Sequence, residues 1–339
     1  MNIFLTPMLD ESKSPTKNPY INDLIKSLED NGHIVINKNK FSKIGLFNII
    51  FYLKKSDAIY FNWIEDLIST RFGFLQTLYV YFCCFIFKLM GKKIIWTLHN
   101  KISHSKKDLF FKIINTYFLL NYSDIVITHS KDGVNFSKHF LKNENKNVGF
   151  LHHPIYNNLD KNDSTQEKNY DILIWGAITP YKGVDKFLNH LEENGLLKKY
   201  KICILGKIKD ENLKNDILKF NSNNIQIINE FVDDKKLEEY ILISKVILFT
   251  YTPTNTFASG SLMMSLSYGS TIVGPNVGSF KDLSSEGLIK TFKTFDDLIE
   301  IIDSLKNENK VNADLLNEFI EINTWDSFGK KLSNLLKKV

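Results

Sequence analysis

The chain has 339 residues, of which 43% are hydrophobic and 24% charged, and its formal net charge is +5. This composition excludes disordered and collagen-like proteins and is typical of a globular chain long enough for two domains. Three cysteines, at positions 83, 84 and 203, lie in apolar runs, which argues against a disulfide framework and fits a reducing compartment.

The basic charge is concentrated in the first half of the chain. Residues 1–155 contain 20 Lys and Arg against 12 Asp and Glu, whereas residues 156–339 contain 23 against 26. A basic domain favours an anionic partner such as a membrane surface or a negatively charged acceptor, although dispersed surface lysines explain the same count. The sequence has no basic motif interleaved with aromatic residues, which argues against nucleic-acid binding.

Apolar strands alternate with helices through this half. The run over residues 2–6 predicts a strand rather than a signal peptide, and residues 19–29 predict a helix that ends before Gly32. Further strands are predicted at residues 33–36, 57–63, 93–98 and 124–128, and residues 148–152 with Pro154 close the domain. This order predicts a doubly wound sheet in a first domain of residues 1–155.

Two apolar segments of the first half raise the question of a membrane. Within residues 72–90, the uninterrupted apolar part is the ten residues 78–87, whereas a membrane-spanning helix needs ~20 residues. We predict that this helix is buried in the core, with a membrane-surface helix as the alternative. Residues 41–55, in which lysines flank apolar side chains, are the better candidate for a helix that faces a membrane.

The same strand–loop–helix pattern restarts in the second half. Residues 156–169 are polar and form the predicted linker. Strands are predicted at residues 170–175, 201–205, 225–228, 246–251 and 270–273. These elements predict a second doubly wound domain over residues 170–322, followed by a final helix over residues 323–339.

One helix of the second domain begins with small residues. Ser259, Gly260 and Ser261 precede an apolar-periodic segment that stops at Gly269, which predicts a serine cap and a glycine just past the helix end. Free N–H groups at such a helix start, on the positive end of the helix dipole, favour an anion, and we predict a diphosphate. The alternative is that Ser259 only caps the helix.

The segment SGSLMMSLSYGSTIVGPNVGSFKDL, residues 259–283, resembles the donor-site segment of the group-1 glycosyltransferases with the GT-B fold. The residues at positions 267–269, 272–273 and 275–278 agree with the pattern of that family segment. The strings WTLHN and ITHS resemble a subset of these enzymes that makes bacterial surface polysaccharides, namely capsule, O-antigen or exopolysaccharide.

The resemblance implies a fold and a reaction. The fold would be α/β, with two Rossmann-like doubly wound domains facing across a cleft and the last helix crossing back to the first domain. The reaction would transfer a hexosyl unit from a nucleoside-diphosphate sugar to a polysaccharide precursor linked to a polyprenyl diphosphate. Such an enzyme would work peripherally on the cytoplasmic face of the membrane, whose anionic surface would be a partner.

The chain also departs from the family pattern. Thr256 and Met264 occupy two positions that are usually glutamates in retaining members, and this loss favours an inverting reaction. Ala177 replaces the arginine of the usual phosphate loop, which removes one cationic contact to the donor. Ser105 replaces the acid that usually follows His104, which weakens any role for that position.

The resemblance assigns donor binding to a set of residues in the second domain. Lys182, in the loop GAITPYKG, would offset charge on the leaving diphosphate, although it could equally be a surface lysine. Residues 230–232 would lie beside the donor base, unless this stretch is a plain connection capped by Asp233 or Asp234. The predicted donor-binding residues are Gly176, Lys182, Gly206, Glu230, Phe231, Ser259, Gly260 and Ser261.

The candidates for acceptor chemistry follow strands of the first domain. His99 is the leading candidate for a general base or a donor-sugar contact, because imidazole takes a proton near neutral pH. Asp10 and Glu11 are the carboxylate alternatives. Asn100, His104 and His129 are predicted on the acceptor side, and each histidine has the alternative of being a hydrogen-bonded cap.

Motifs for other chemistry are missing from the sequence. It has no Asp-x-Asp pair, no Cys/His cluster with zinc spacing, no dinucleotide fingerprint and no P-loop motif, so we expect neither a metal nor another cofactor. Two alternatives to a transferase remain at this stage. One is a sugar-nucleotide epimerase with the same fold, and the other is a scaffold that binds nucleotide without turnover.

Overall fold

The computed structural model describes residues 1–8, 19–38, 45–70, 72–101, 109–143, 148–161, 167–251, 257–305 and 312–338. Four positions named above, Asp10, Glu11, His104 and Thr256, lie outside the described residues, as does Ser105. Their predicted roles stay predictions.

The first half forms a parallel sheet of six strands with helices on both faces. The strands run in the order β2-β1-β3-β4-β5-β6. Their bounds are β1 Asn2–Thr6, β2 Ile34–Val35, β3 Ala58–Asn62, β4 Lys93–Leu98, β5 Ile125–Thr128 and β6 Val148–Phe150. The helices are α1 Tyr20–Asp30, α2 Ile49–Tyr52, α3 Gly73–Leu89, α4 Leu109–Tyr122 and α5 Lys131–Lys138.

The alternation of side chains along each strand separates two cores. In β1, Ile3 and Leu5 face a core that contains α1, while Phe4 faces a core that contains α2, α3, α4 and α5. Because both faces of a parallel sheet are covered, its strands are apolar throughout, which is why uninterrupted apolar runs predicted them.

The second half repeats this architecture, with strand order β12-β11-β10-β7-β8-β9. The strands are β7 Tyr170–Trp175, β8 Ile202–Leu205, β9 Ile225–Ile228, β10 Ser244–Leu248, β11 Thr271–Pro275 and β12 Lys290–Phe292. The helices are α6 Val184–Glu193, α7 Glu211–Leu218, α8 Asp234–Leu242, α9 Gly260–Ser267, α10 Gly278–Ser285, α11 Phe295–Ser304, α12 Ala313–Ile322 and α13 Trp325–Lys337. The order reverses between β7 and β10, which is where parallel sheets of this type bind ligands.

The chain divides into two compact units. The first unit contains Met1–Pro154, Asn255–Ala258 and Trp325–Val339, and the second contains Ile155–Thr254 and Ser259–Thr324. The final helix α13 is therefore part of the first unit, where it packs against α1. Ser27 Oγ donates to the carbonyl of Trp325 at 2.7 Å, and a Cβ on Gly329 would lie 2.3 Å from Ser27 Oγ, so only a glycine allows this approach.

Two predictions about the apolar segments of the first unit were wrong in part. The described part of residues 41–55 is not one helix but a 3₁₀ turn, Gly45–Asn48, followed by the single turn of α2. The helix predicted over residues 72–90 is α3, but only one of its faces is buried in the core. In the described chain, no helix is both long and apolar enough to cross a membrane.

Strand bounds were predicted more accurately. Predicted and observed ends agree within two residues except in β10, which ends at Leu248 instead of residue 251, while β6 and β12 were not predicted as strands. In β10 the apolar residues Phe249 and Tyr251 continue past the end of the strand, so the apolar run does not mark that end.

Candidate functional site

The second unit gathers polar groups around Gly176, at the carboxyl end of β7. Lys182 lies in a 3₁₀ turn, Pro180–Lys182, that follows this strand, and its Nζ donates to the carbonyl of Trp175 at 3.2 Å. A Cβ built on Gly176 would lie 2.9 Å from Lys182 Nζ and 3.6 Å from Ser261 Oγ. The missing side chain of Gly176 therefore leaves room in which an ammonium and a hydroxyl converge.

Lys182 is a buried cation, not a surface lysine. Only 4% of the residue is exposed, its Nζ lies 5.5 Å from the centroid of the Tyr251 ring, and Thr250 Oγ1 donates to its carbonyl at 2.6 Å. Burial lowers the pKa of the ammonium to about 8, and no carboxylate of the described residues offsets this cost. A buried ammonium without a counter-ion is suited to bind an anion that supplies one.

The helix start predicted at Ser259 is observed beside Lys182. Ser259 Oγ accepts from the N–H of Leu262 at 3.3 Å and caps α9. The N–H groups of Gly260 and Ser261 have no acceptor among the described residues. The serine cap and the free N–H donors occur together, so the prediction of an anion site and the alternative of a simple helix cap do not exclude each other.

Trp175 and Ser265 hold α9 in place, and sequence reasoning missed both. Trp175 Nε1 donates to Ser265 Oγ at 2.8 Å, and Ser265 Oγ donates in turn to the carbonyl of Ser261 at 2.9 Å. This chain links the end of β7 to the first turn of α9. A tryptophan at the end of a predicted strand was the available signal.

Gly206, after β8, allows the backbone to pass against Gly176. Its φ is +151°, and a Cβ there would lie 2.0 Å from the carbonyl oxygen of Gly176. The N–H of Gly206 donates to the carbonyl of Ile228 at 3.0 Å. Gly206 therefore shapes the site through its backbone and does not offer a side chain to a ligand.

We expect Gly206→Ala to lower the free energy of unfolding by at least about 2 kcal/mol, because the new Cβ must displace the Gly176 loop. The same change should weaken anion binding at Lys182. Gly195→Ala is the control, since Gly195 also has positive φ, +67°, but nothing lies within 4 Å of its Cβ position. Urea denaturation measures the free energy of unfolding of both variants. Gly195→Ala adds only backbone strain, whereas Gly206→Ala adds strain and a steric collision. Equal losses of stability in the two variants would contradict the packing argument.

Glu230 and Phe231 occupy the connection between β9 and α8. Glu230 is exposed and forms an ion pair with Lys236, and Phe231 is 40% exposed with Lys209 Nζ at 5.8 Å from its ring centroid. Asp233 Oδ1 accepts from the N–H of Lys236 at 2.8 Å, so Asp233 caps α8, as the alternative interpretation proposed. No contact among the described residues joins this connection to Lys182.

A cavity of about 470 Å³ lies between α8, α9 and the segment that precedes β7. Met264 lines it from α9, one turn after the helix start, and Tyr268 lies one turn further. Glu238 accepts from Tyr268 Oη at 3.0 Å and forms an ion pair with Lys161 at 2.8 Å. Sequence reasoning did not predict this cavity, because its walls come from three separate segments.

A cluster of aromatic and histidine rings lies at the carboxyl ends of the strands of the first unit. Tyr20 is at its centre, with ring centroids of five neighbours between 5.1 and 5.9 Å away. These neighbours are Trp63, His99, His129, His153 and Trp325. The structure thus brings together the predicted His99 and His129, while sequence reasoning missed the other four rings.

Hydrogen bonds define the tautomers of two of these histidines. His129 Nδ1 lies 2.9 Å from the carbonyl of Leu151, which can only accept, so Nδ1 carries the proton and Nε2 accepts from Tyr20 Oη at 3.0 Å. His99 Nε2 donates to Asn62 Oδ1 at 3.1 Å, and Nδ1 has no hydrogen-bond partner among the residues that the structure describes. His129 is thereby a fixed structural group, whereas His99 keeps an acceptor.

Burial keeps these histidines neutral. It lowers the pKa of His129 to about 3 and that of His153 to about 4, and it holds the pKa of His99 well below its usual range. The positive charge that each ring would carry also repels the others. A neutral His99 can accept a proton or a hydrogen bond at pH 7, but its basicity is low for a general base.

Trp63 is held in a strained conformation against His99. Its φ of 50° lies in the left-handed region, which costs a non-glycine residue roughly 1–2 kcal/mol. Its ring stacks on His99 with centroids 4.5 Å apart and planes 20° apart. Such strain persists where the surroundings determine the side-chain position, and it is common at functional sites.

Among the residues that the structure describes, no group of three or more His, Cys, Asp or Glu side chains is arranged to hold a metal ion. Asn100, the remaining acceptor-side candidate within these residues, is half-buried directly after His99.

The chain resembles known proteins in sequence over the second unit and in structure over nearly its whole length. Residues 157–322 match the sequence model of the family described as glycosyl transferases group 1. No curated protein sequence matches the chain.

Several solved structures superpose on the whole chain at low sequence identity. HepE from Anabaena, in complex with UDP and glucose, has a TM-score of 0.68 at 13% identity and covers 99% of each chain. Sucrose-phosphate synthase from Thermosynechococcus elongatus has a TM-score of 0.72 at 10% identity, over 99% of this chain and 98% of that one. The apo form of WaaB, a lipopolysaccharide outer core galactosyltransferase, has a TM-score of 0.67 at 14% identity, over 100% of this chain and 99% of that one.

The two parallel six-stranded sheets and these superpositions confirm the predicted fold class. Residues 157–322 match the group 1 glycosyl transferases, and the chain as a whole has the two-domain, Rossmann-like GT-B fold.

Proposed function

We propose that this protein is a glycosyltransferase that uses a nucleoside-diphosphate sugar as its donor. The observation that carries the proposal is that buried Lys182 Nζ and Ser261 Oγ converge at Gly176, at the start of α9, where the first N–H groups have no acceptor among the described residues. This anion site lies inside the region that matches the glycosyltransferase family. The structural neighbour HepE was solved with UDP and with UDP-glucose, which supports a donor of the same class.

The proposed mechanism depends on charge at the leaving group. Departure of a nucleoside diphosphate builds negative charge on its outer phosphate, where Lys182 and the N–H groups of Gly260 and Ser261 would stabilise it. The nucleoside would extend along α9 into the cavity beside Met264, one turn from the phosphates. Because Lys182 and the helix start supply the positive charge, we propose that transfer needs no metal, in keeping with a sequence that lacks Asp-x-Asp.

We propose that the first unit binds the acceptor. We propose a hexosyl transfer to a lipid-linked polysaccharide precursor at the cytoplasmic face of a membrane. The basic charge of the first half supports an anionic acceptor, and the neighbour WaaB is a lipopolysaccharide outer core galactosyltransferase. His99, with its Nδ1 lone pair and its stacked Trp63, would position the acceptor hydroxyl or the donor sugar.

The test is release of nucleoside diphosphate from UDP-, GDP- and dTDP-hexoses, with and without bacterial membrane lipid and with EDTA present. We expect lipid-dependent release from one donor that EDTA leaves unchanged. Lys182→Ala and His99→Ala should abolish it. Lys186→Ala, an exposed lysine on α6, is the matched control and should retain it.

Other outcomes separate the alternatives. Nucleotide binding without release from any donor would contradict transfer and indicate a scaffold. Conversion of one sugar nucleotide into another without lipid would indicate an epimerase. Absence of nucleotide binding would refute the anion site itself.

A further inference from the structure

The outer surface of one helical layer of the first unit is apolar. Of the 23 large apolar side chains that are exposed in the described chain, 17 lie between Phe47 and Tyr117. They belong to the 3₁₀ turn Gly45–Asn48 and to α2, α3 and α4 with their adjoining residues. We call the outward surface of these elements the apolar face. Most surfaces of soluble proteins show such residues singly, so this concentration needs an explanation.

Helix α3 is apolar on both sides. Its inward side chains, such as Val80, Cys84 and Phe87, fill the core beneath the sheet. Its outward stripe follows helical spacing, and the exposed members are Phe74, Leu75, Leu78, Phe82, Phe85 and Leu89. A helix that is covered on one side only would normally carry polar residues on the other.

Helix α4 buries polar side chains in its first half and exposes apolar ones there, while Leu119 and Leu120 near its end are buried in the core. The positions that face inward include Lys112, which is only 2% exposed, and the buried Asn115, whose Nδ2 donates to the carbonyl of Ile64 at 3.0 Å. The positions that face outward include Phe110, Ile113 and Ile114. This arrangement is unfavourable if the outer side meets water and favourable if it meets an apolar medium.

Ring contacts join these elements into one surface. Phe74 of α3 and Phe111 of α4 lie 5.9 Å apart between ring centroids. Phe47, before α2, lies 4.7 Å from Tyr79 of α3. The apolar face is therefore continuous across three elements and is not a set of separate exposed side chains.

The backbone before α3 is strained in a way that keeps Phe72 exposed. Phe72 directly precedes α3, is highly exposed and has a φ of 58°, which is strained for a phenylalanine. A Cβ on the next residue, Gly73, would lie 2.3 Å from the carbonyl oxygen of Ile68, so the chain is packed tightly behind it. The tight turn directs an aromatic ring away from the core.

The charged residues within the elements of the apolar face are lysines. The 3₁₀ turn, α2, α3 and α4 contain no Asp or Glu. Exposed Lys54 and Lys55 follow α2, and Lys142 Nζ lies 5.5 Å from the ring centroid of Tyr117 on α4. An apolar surface with a lysine rim complements a lipid layer whose headgroups are anionic.

We propose that the apolar face docks on an anionic lipid bilayer, with α3 and α4 lying in its interface. The 17 residues of α3 would extend about 26 Å, and the inward side of the helix is committed to the protein core, so it would lie along the membrane. This proposal specifies the surface for the membrane association that the proposed function includes, but it does not depend on the donor site. A second copy of the chain fits less well, because it would bring two lysine rims together, and the 3₁₀ turn, α2, α3 and α4 contain no acidic residue to pair with them.

The test compares sedimentation with vesicles of phosphatidylglycerol and phosphatidylcholine and with vesicles of phosphatidylcholine alone. The wild-type protein should bind the anionic vesicles, more weakly as salt is added. Phe74→Ser, Phe82→Ser and Phe85→Ser combined should lower the partition coefficient at least about tenfold. The control is Leu315→Ser with Ile322→Ser, two exposed apolar residues of the second unit, and it should bind as the wild type does.

A second measurement guards against loss of folding. Phe82→Trp should show bromolipid quenching of its added fluorescence only with anionic vesicles, and UDP binding in vesicle-free buffer should be unchanged in every variant. A variant that loses vesicle binding but still binds UDP has lost membrane docking alone. A variant that loses UDP binding but still binds vesicles has lost the donor site alone. Equal vesicle binding by the triple variant and the wild type would overturn the proposal. So would a solution dimer that the triple variant abolishes, combined with no binding to vesicles.

Discussion

Lys182→Met is expected to weaken UDP binding by roughly 10- to 100-fold while making the protein more stable. The loss follows from removing a charge-assisted contact in a buried site, which is typically worth about 1.5–3 kcal/mol. The gain follows from removing an ammonium whose pKa is lowered by burial from 10.5 to about 8. That shift corresponds to at most about 3 kcal/mol of destabilisation at pH 7, from which the lost contact to the Trp175 carbonyl must be subtracted.

The lowered pKa also makes donor binding depend on pH. Above about pH 8 the ammonium of the free protein loses its proton, and a bound diphosphate should restore it, so binding takes up protons near this pH. Calorimetry at pH 8 in buffers of different ionisation enthalpy measures that uptake, and Lys182→Met should remove it. A variant that is less stable, or that still takes up protons on binding UDP, would contradict the assignment of Lys182. Lys186→Met, on the exposed side of α6, is the control.

Acidification below about pH 6.5 is expected to destabilise the first unit steeply. The folded-state pKa values of His129 and His153 are depressed to about 3 and about 4, and that of His99 is also lowered, whereas unfolded histidines titrate near 6.5. Between these values the unfolded chain binds more protons, so stability rises with pH and is lost as pH falls. With three such groups the slope can approach about 4 kcal/mol per pH unit.

Tryptophan fluorescence measures this acid-induced unfolding of the first unit. Three of the four tryptophans, at positions 63, 96 and 325, belong to that unit. His129→Asn keeps a donor for the Leu151 carbonyl and should reduce the slope by about 1.4 kcal/mol per pH unit. Leu119→Ala, a buried change without a titrating group, should lower stability equally at all pH values. Unfolding that takes up the same number of protons in His129→Asn and in the wild type would contradict the role of burial.

Local signals were sufficient for the elements of this fold. Strands β1, β4, β7 and β9 have the predicted bounds, because apolar runs bounded by polar or glycine residues reflect burial on both faces of a parallel sheet. The cap of Ser259 on α9 was also predicted, since capping needs only a hydroxyl three residues before an unpaired N–H.

The candidate sites needed the tertiary structure. Lys182 and Ser261 are distant in the sequence, and they meet only because β7 and β10 are neighbours in the second sheet. Tyr20 reaches three histidines because α1 packs where β4, β5 and β6 end. Sequence spacing carries no information about strand order, so these neighbours could not be derived from it.

The sequence by itself determined the alternation of strands and helices, the two-domain α/β class and the start of α9, all of which depend on residues within one or two turns. The tertiary structure decided that Lys182 is buried, that the histidines stay neutral and that α4 turns its phenylalanines and isoleucines outward. An amphipathic pattern defines two sides of a helix but not which one faces the core. That choice depends on what the neighbouring elements already cover, and in α4 the buried side is the one with Lys112 and Asn115.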